Sequence, residues 1–315
     1  MRRNGKFVFI FLVCLSLLCM CSGENKNADD VFKEKAAQRF FHPEINFKGK
    51  IIFQSDFEGN NEIYMISMKG LEKLTDNDWQ DEYPVWSPDG KKIAFSANPN
   101  GNYDIFTMKA DGSDIRQITT SSRKEMTPAW FPDNETIAYA KNMGSAFRNK
   151  DFIFKIDIHT KKTQQIIQDF NRKNIVPWVS PDASLLTFTG KRTLGWDVAV
   201  YDMKKKEVEF LEQSGKSCRG RFSPDGKKIA YVCSLADGKG DVWLMNADGS
   251  QKTRLTKRDD TYDYFPSWSP DGKFIVFNSS LKHNHIGKLC IVDVKTGEVF
   301  FLFDSPGNDV YPDWN

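Results

Sequence analysis

Neither sign of charge dominates this chain: 44 Lys and Arg stand against 42 Asp and Glu, a formal +2 over 315 residues. Loss of Arg2, Arg3 and Lys6 with an N-terminal leader turns that into −1. Nothing here calls for nucleic acid, whose binders carry a basic excess on the bound face. After residue 20 there is no apolar run of the roughly 18 residues that a spanning helix needs. No G-x-S-x-G elbow and no H-E-x-x-H motif occurs, so neither a hydrolase nucleophile nor a zinc site of that kind is expected. Histidine is scarce, with four in all, and His283 and His285 in "LKHNHIGK" lack the third ligand that a catalytic zinc takes.

What is present begins with a leader. "MRRNGKFVFIFLVCLSLLCMCSGEN" has a basic start, an apolar run from Phe7 to Met20 and then small polar residues, the pattern of an export signal over 1–23. Two main processing routes stay open: lipidation of Cys21, which resembles a lipoprotein cysteine although Met20 before it is large, or plain cleavage near Gly23. Residues 24–46 are expected to form a tether with one short helix around "DDVFKEKAAQRFF".

The rest is repetitive. Taking the turn proline as marker, Pro88, Pro132, Pro181, Pro224 and Pro270 are spaced by 44, 49, 43 and 46 residues. Each unit runs from an aromatic strand ("YPVW") through "SPDG" or its equivalent into a second strand ("KKIAFS", "KKIAYV", "KFIVFN"). A third strand ("YDIFTM", "GDVWLM"), a second turn ("ADGS") and a short fourth strand ("RQIT", "TRLT") follow. Apolar residues recur at strand period, and Pro, Asp and Gly supply the turn chemistry. Such a four-stranded antiparallel meander must stack on its neighbours to bury both faces. The repeat begins at "GKIIFQS" without a first strand and ends at "VYPDWN" with nothing but a first strand. The two fragments complete one sheet and close a ring without a free edge. The expectation is an all-β chain with a six-bladed β-propeller over 47–315.

The pattern "PxWSPDGKKIAFxS … DIYxMxADGSxxxxLT" resembles the TolB-type propeller repeat of bacterial envelope proteins, over residues 47–315 and without the separate N-terminal domain of TolB. By analogy the resemblance implies a non-catalytic protein-interaction module, monomeric, exported to the periplasm or cell envelope, and touching membrane only through a lipid anchor at Cys21. The alternative is a carbohydrate-binding or carbohydrate-active propeller, since oligogalacturonate lyases carry similar repeats.

Recurring turns are scaffold; the loops joining strands two and three and the crossings between blades vary, and variable loops on a rigid frame are where binding sits. Three residues before the first-strand proline, or its equivalent, stand Asp81, Glu125, Asn174, Ser217, Asp263 and Asp309, with Glu82 beside the first. They are expected to converge as an acidic channel mouth for a basic segment of an envelope protein or for a divalent cation. The other reading makes them solvated strand caps. Trp79, Phe147, Arg148, Arg192, Trp196, Tyr262 and Tyr264 are the aromatic and basic residues expected to frame that face. Trp86, Trp130, Trp268 and Trp314 recur two residues before the turn proline or its expected place and read as packing between blades. "KKK" at 204–206 reads as a solvated turn. No catalytic residue, resident cofactor or metal site is assigned. Of the six cysteines three lie in the leader; Cys218 and Cys233 sit equally far from the Ser223–Lys228 hairpin closure, so a disulfide across that hairpin is expected, with Cys290 a buried strand residue.

Overall fold

The computed structural model describes residues 44–144, 150–167, 173–281 and 284–315, with the side chains of 284 and 285 excepted. The leader, Cys21, all but the end of the tether, Phe147, Arg148, His283 and the His285 side chain lie outside what is described.

The turns explain the repetition. In blade 2, Ser87 Oγ donates to Asp89 Oδ1 (2.7 Å) and accepts the Lys92 N–H (2.9 Å), while Gly90, at φ 67°, donates its N–H to Ser87 O (2.8 Å). Ser180 with Asp182, Ser223 with Asp225 and Ser269 with Asp271 repeat the arrangement. The serine hydroxyl and a backbone N–H hold the Asp182 and Asp225 carboxyls below the usual aspartate range. Position four of the turn requires a left-handed residue, which is why glycine recurs there; Asn134 (φ 59°) and Ala183 (φ 58°) take it in the other two turns.

Six four-stranded antiparallel sheets result. Blade 1 joins Val310–Trp314 to Ile51–Ser55, Glu62–Ser67 and Gly70–Lys73. Blades 2 to 6 begin with Asp81–Trp86, Glu125–Trp130, Asn174–Val179, Ser217–Phe222 and Thr261–Trp268, and each continues through the next three strands of the chain. The ring closes as expected: Ile51 faces Trp314, Ile52 faces Asp313, and Asn315 N donates to Lys50 O (2.9 Å). Trp314 Nε1 donates to Lys48 O (2.8 Å) and its ring meets Phe47 edge-on at 5.6 Å.

The cores lie between blades. Ile52, Ile63 and Met65 of blade 1 pack on Trp86, Ile93, Phe95 and Phe106 of blade 2, and each other pair of neighbours has its own cluster. Each such side chain contributes roughly 1.5–3 kcal/mol when taken out of water. As expected, the recurrent tryptophans belong to these layers; Trp130 Nε1 donates to Val85 O (3.3 Å) and Trp268 Nε1 to Arg221 O (3.1 Å), each a carbonyl of the preceding blade. The topology puts the two hairpin turns of every blade on one face, and the strand two–three loops and blade crossings on the other. We call these the turn face and the loop face.

One expectation on the hairpins fails. Ser223 closes on Lys228 (2.8 Å) and Phe222 faces Ile229, but a bulge between Cys218 and Arg221 shifts the register by one residue. Cys218 then faces Val232, and Cys233 faces Ser217. A one-residue slip sends side chains to opposite sides of a sheet. Both thiols are free, and burial pushes the Cys233 thiol up to about 11. Cys290 is buried, as expected.

Candidate functional site

The bulge recurs in all six innermost strands, between Glu82 and Val85, Met126 and Ala129, Ile175 and Trp178, Cys218 and Arg221, Tyr264 and Ser267, and Ile52 and Gln54 opposite the closing strand. At each one residue is left-handed: Tyr83 (φ 56°), Thr127 (54°), Val176 (54°), Arg219 (60°), Phe265 (56°) and Tyr311 (54°). None is glycine, and each costs on the order of 1–2 kcal/mol in backbone strain. Such strain persists where surrounding structure over-determines it and clusters at functional sites. All six residues line one small chamber of about 30 Å³ on the ring axis.

The bulge also decides where the recurring acids go. Asp81, Glu125, Asn174, Ser217, Asp263 and Asp309 are each at most 2% exposed. They do not line an open mouth; it is the residue two further on that faces the axis. Each acid instead fastens a crossing to the blade before it. The backbone N–H groups of Asp81, Glu125, Asp263 and Asp309 donate to Asn61 O, Tyr103 O, Gly240 O and Gly287 O at 2.7 to 3.0 Å. Asp81 Oδ2 accepts from Asn77 (2.7 Å), Glu125 pairs with Lys141 (2.8 Å), and Asp263 Oδ1 accepts from Arg258 and Ser279 (2.7 Å each). Asp309 accepts from Ser55 Oγ (2.5 Å) and from the hydroxyl (2.7 Å) and N–H (3.0 Å) of Ser305. Burial raises Asp81 to about 7 and Asp309 to about 6, since hydrogen bonds only partly offset the cost of removing charge from water.

A second set of recurring groups escaped sequence reasoning. The threonine two residues past the fourth strand, as Thr75, Thr119 or Thr256, accepts the N–H of Ile63, Ile105 or Val242. Thr75 and Thr119 also donate to Glu62 and Asp104, the acids opening the third strands. Burial and the neighbouring Glu125 carboxylate raise Asp104 to about 6. The recurring "LT" and the acid of "DI" and "DV" were the signal. Among the described residues no three His, Cys, Asp or Glu side chains converge to hold a metal.

Glu82 is the exception among the acids. It borders a loop-face cleft of about 610 Å³ between blades 6, 1 and 2, with Gln54, Asn61, Tyr262, Tyr264, Asn278 and Asn308 among its walls. Glu82 Oε1 accepts from Asn61 (3.1 Å) and from the Tyr103 hydroxyl (2.8 Å). Asn278 is buried and its Oδ1 has no protein hydrogen-bond partner. Phe265, Tyr311 and Tyr83 form the floor: Tyr311 lies 3.8 Å from Phe265 and 4.1 Å from Tyr83 between centroids, and its hydroxyl donates to that of Tyr83 (3.1 Å).

Of the aromatic and basic set, Tyr262 and Tyr264 thus meet Glu82 in one cleft. Trp79 packs beside the core between blades 1 and 2. Arg192 and Trp196 belong to blade 4, where Arg192 lies over Phe210 (4.9 Å) and near Asp197 (3.7 Å), and Lys191 lies over the Trp196 ring (5.1 Å). Sequence reasoning also passed over lone apolar residues in the strand two–three loops or, for Leu281, at the end of the second strand. Met143, Leu194, Leu235 and Leu281, one each in blades 3 to 6, are exposed, Leu194 by 79%. On the turn face the tryptophans and turn prolines surround a funnel of about 400 Å³ with Arg221 and Asp313 at its base.

Comparison with known proteins agrees with this geometry. Dipeptidyl-peptidase 5 of Porphyromonas gingivalis is 26% identical over 259 residues, 76% of this chain and 36% of that protein. The chain therefore spans about a third of that relative's length. A protein TolB homolog of Chlorobium luteolum is 28% identical over 125 residues, 40% of this chain and 28% of its own. The crystal structure of TolB from Acinetobacter baumannii superposes with a TM-score of 0.72 at 20% identity, covering 86% of this chain and 67% of that one. The TolB beta propeller domain model matches residues 32–164 and again 147–315, so the chain belongs to the TolB β-propeller domain family.

Proposed function

We propose that this chain is an exported, non-catalytic, protein-binding propeller of the bacterial cell envelope that holds an extended segment of a partner protein in its loop-face cleft. The observation that carries the reading is that one face combines an open cleft of about 610 Å³ with exposed apolar side chains in four consecutive blades. Single exposed leucines are ordinary, but a set of exposed apolar side chains on the same face as a polar, tyrosine-lined cleft fits the anatomy of a binding face. Tyr262, Tyr264 and Tyr311 offer large, stiff contact area at little entropic cost, as interface anchors do. Glu82 and the free Asn278 Oδ1 accept hydrogen bonds, so the segment recognised carries donors there, a lysine or arginine side chain or backbone N–H groups.

The leader supports export, and lipidation at Cys21 is the route by which the propeller touches a membrane. The protein works as a monomer without a resident cofactor. A divalent cation at the buried acids has weaker grounds, because those acids are turned to separate blade crossings: Asp81 Oδ1, Glu125 Oε2 and Asp263 Oδ2 lack a protein partner, but among the described residues no three His, Cys, Asp or Glu side chains converge to hold a metal.

Affinity capture from native envelopes tests the reading, with wild-type protein beside Glu82→Arg/Asn278→Leu on the loop face and Lys91→Glu/Lys227→Glu on the turn face. Capture of one partner by wild type and the turn-face variant, and loss from the loop-face variant, is expected. Retention by the loop-face variant with loss from the turn-face variant sinks it.

A further inference from the structure

Beneath the aromatic floor of the cleft, the axial chamber of about 30 Å³ has room for one or two particles of water size. Its walls hold an excess of donors. Arg219 Nε and Thr127 Oγ1 are buried and lack a protein hydrogen-bond partner. Arg221 also lines the chamber, with its Nη1 engaged by Asp313 (2.6 Å). Arg219 has no carboxylate partner: among the described residues it makes no ion pair, its Nη1 donates to the Cys218 sulfur (2.7 Å), and its guanidinium plane lies over Phe265 (4.2 Å).

A guanidinium withdrawn from water without an anion is costly, far more so than an unpaired neutral group. Aromatic faces offset part of that cost. They do not fill the in-plane N–H directions. The Thr127 hydroxyl adds a donor that rotates to suit an acceptor. Water in the chamber satisfies hydrogen bonds but leaves the charge. The geometry points to a binding site for a small inorganic anion of halide size, with Arg219 as counter-charge, Thr127 as a second donor and Arg221 as a second cation already paired with Asp313. The chamber is too small for phosphate or sulfate, or for a carboxylate arriving on its stem. The site is separate from the cleft, since Tyr83, Phe265 and Tyr311 lie between them. The two readings therefore stand or fall independently.

Two measurements test it on the full propeller. Bromide replaces chloride in crystals and is located by its anomalous scattering. Thermal and urea unfolding are then compared in sodium chloride, sodium sulfate and sodium gluconate at one ionic strength, for wild type, Arg219→Met and Thr127→Val. The expected result is a bromide peak within hydrogen-bond distance of Arg219 and Thr127. At chloride ten times its Kd the wild-type unfolding constant falls about tenfold relative to gluconate. Arg219→Met abolishes the chloride-specific difference and Thr127→Val reduces it. No bromide in the chamber with equal stability in chloride and gluconate overturns the proposal, as does a chloride effect that persists in Arg219→Met. Should Arg219→Met not fold, the bromide map of wild type and the Thr127→Val salt series decide between the same two outcomes.

Discussion

Arg221 of blade 5 and Asp313 of the closing strand meet at 2.6 Å although 92 residues separate them. The Asp313 carboxylate also accepts the Trp86 N–H of blade 2 (2.7 Å) and the Ser267 hydroxyl of blade 6 (2.8 Å). One side chain from the C-terminal strand therefore ties four blades together. Burial pushes the Asp313 carboxyl up and the Arg221 guanidinium down, so loss of water outweighs mutual attraction for both partners.

That balance makes the pair costly to break from one side. Asp313→Ala is expected to lower unfolding free energy by about 3–5 kcal/mol, because it strands Arg221. Arg221→Met/Asp313→Leu is expected to lose much less. Urea denaturation checks both; equal losses in the single and double variants would show that the pair itself supplies the stability.

Stability is expected to rise as pH falls from 8 to about 5.5. Asp81 is raised to about 7, and Asp104, Asp241 and Asp309 to about 6, each mainly by burial. A carboxyl that holds its proton more tightly in the folded state contributes stability in full below its unfolded value of about 4 and loses it as pH rises through 6 to 7. The turn aspartates Asp182 and Asp225 act oppositely and weaken the fold below about pH 4. Melting temperature across pH 3–9 reads both arms, and Asp81→Asn should narrow the gap between pH 5.5 and 8. A melting temperature that climbs steadily to pH 8 contradicts this.

At the left-handed turn position, Ala183 occupies the place that Gly90, Gly226 and Gly272 hold at φ 67° to 71°. Ala183→Gly is expected to stabilise blade 4 by about 1 kcal/mol, through relief of the Cβ clash, and Gly226→Ala to destabilise by a similar amount. Chemical denaturation at constant pH measures each change.

The thiols give a direct check on the register. Cys218 is half-buried while Cys233 and Cys290 are buried. A thiol reagent should label Cys218 first in the native protein and the other two when it unfolds. A mass two units low, with Cys218 and Cys233 both unlabelled after denaturation, would restore the disulfide that the bulge removes.

The fold was legible because it rests on local chemistry written many times. Ser, Pro, Asp and Gly each perform a separate task in the same hairpin, and the unmatched "GKIIFQS" and "VYPDWN" report the ring closure. The site was less legible because a bulge adds one residue without disturbing the apolar alternation on either side. Counting back from Pro84 to Asp81 gave a recurring acid, but the added residue turns Tyr83 to the axis and Asp81 into the crossing. The same displacement separates Cys218 from Cys233. Proline inside an innermost strand was the available sign, since within sheets it favours edges and bulges. Tyr262 and Tyr264 were singled out because they stand on segments that vary between blades, and Glu82 because it adjoins a recurring acid, whereas Asn278 sits in an ordinary second strand and only burial without a partner reveals it.

The central claim is that the loop face, not the turn face, holds a partner protein. A photo-crosslinking amino acid placed at Asn61 or Tyr262 on the cleft, and separately at Lys91 or Lys227 on the turn face, tests this in intact cells. One discrete adduct from both cleft positions and none from the turn positions is the predicted result; an adduct from the turn positions with none from the cleft would contradict it.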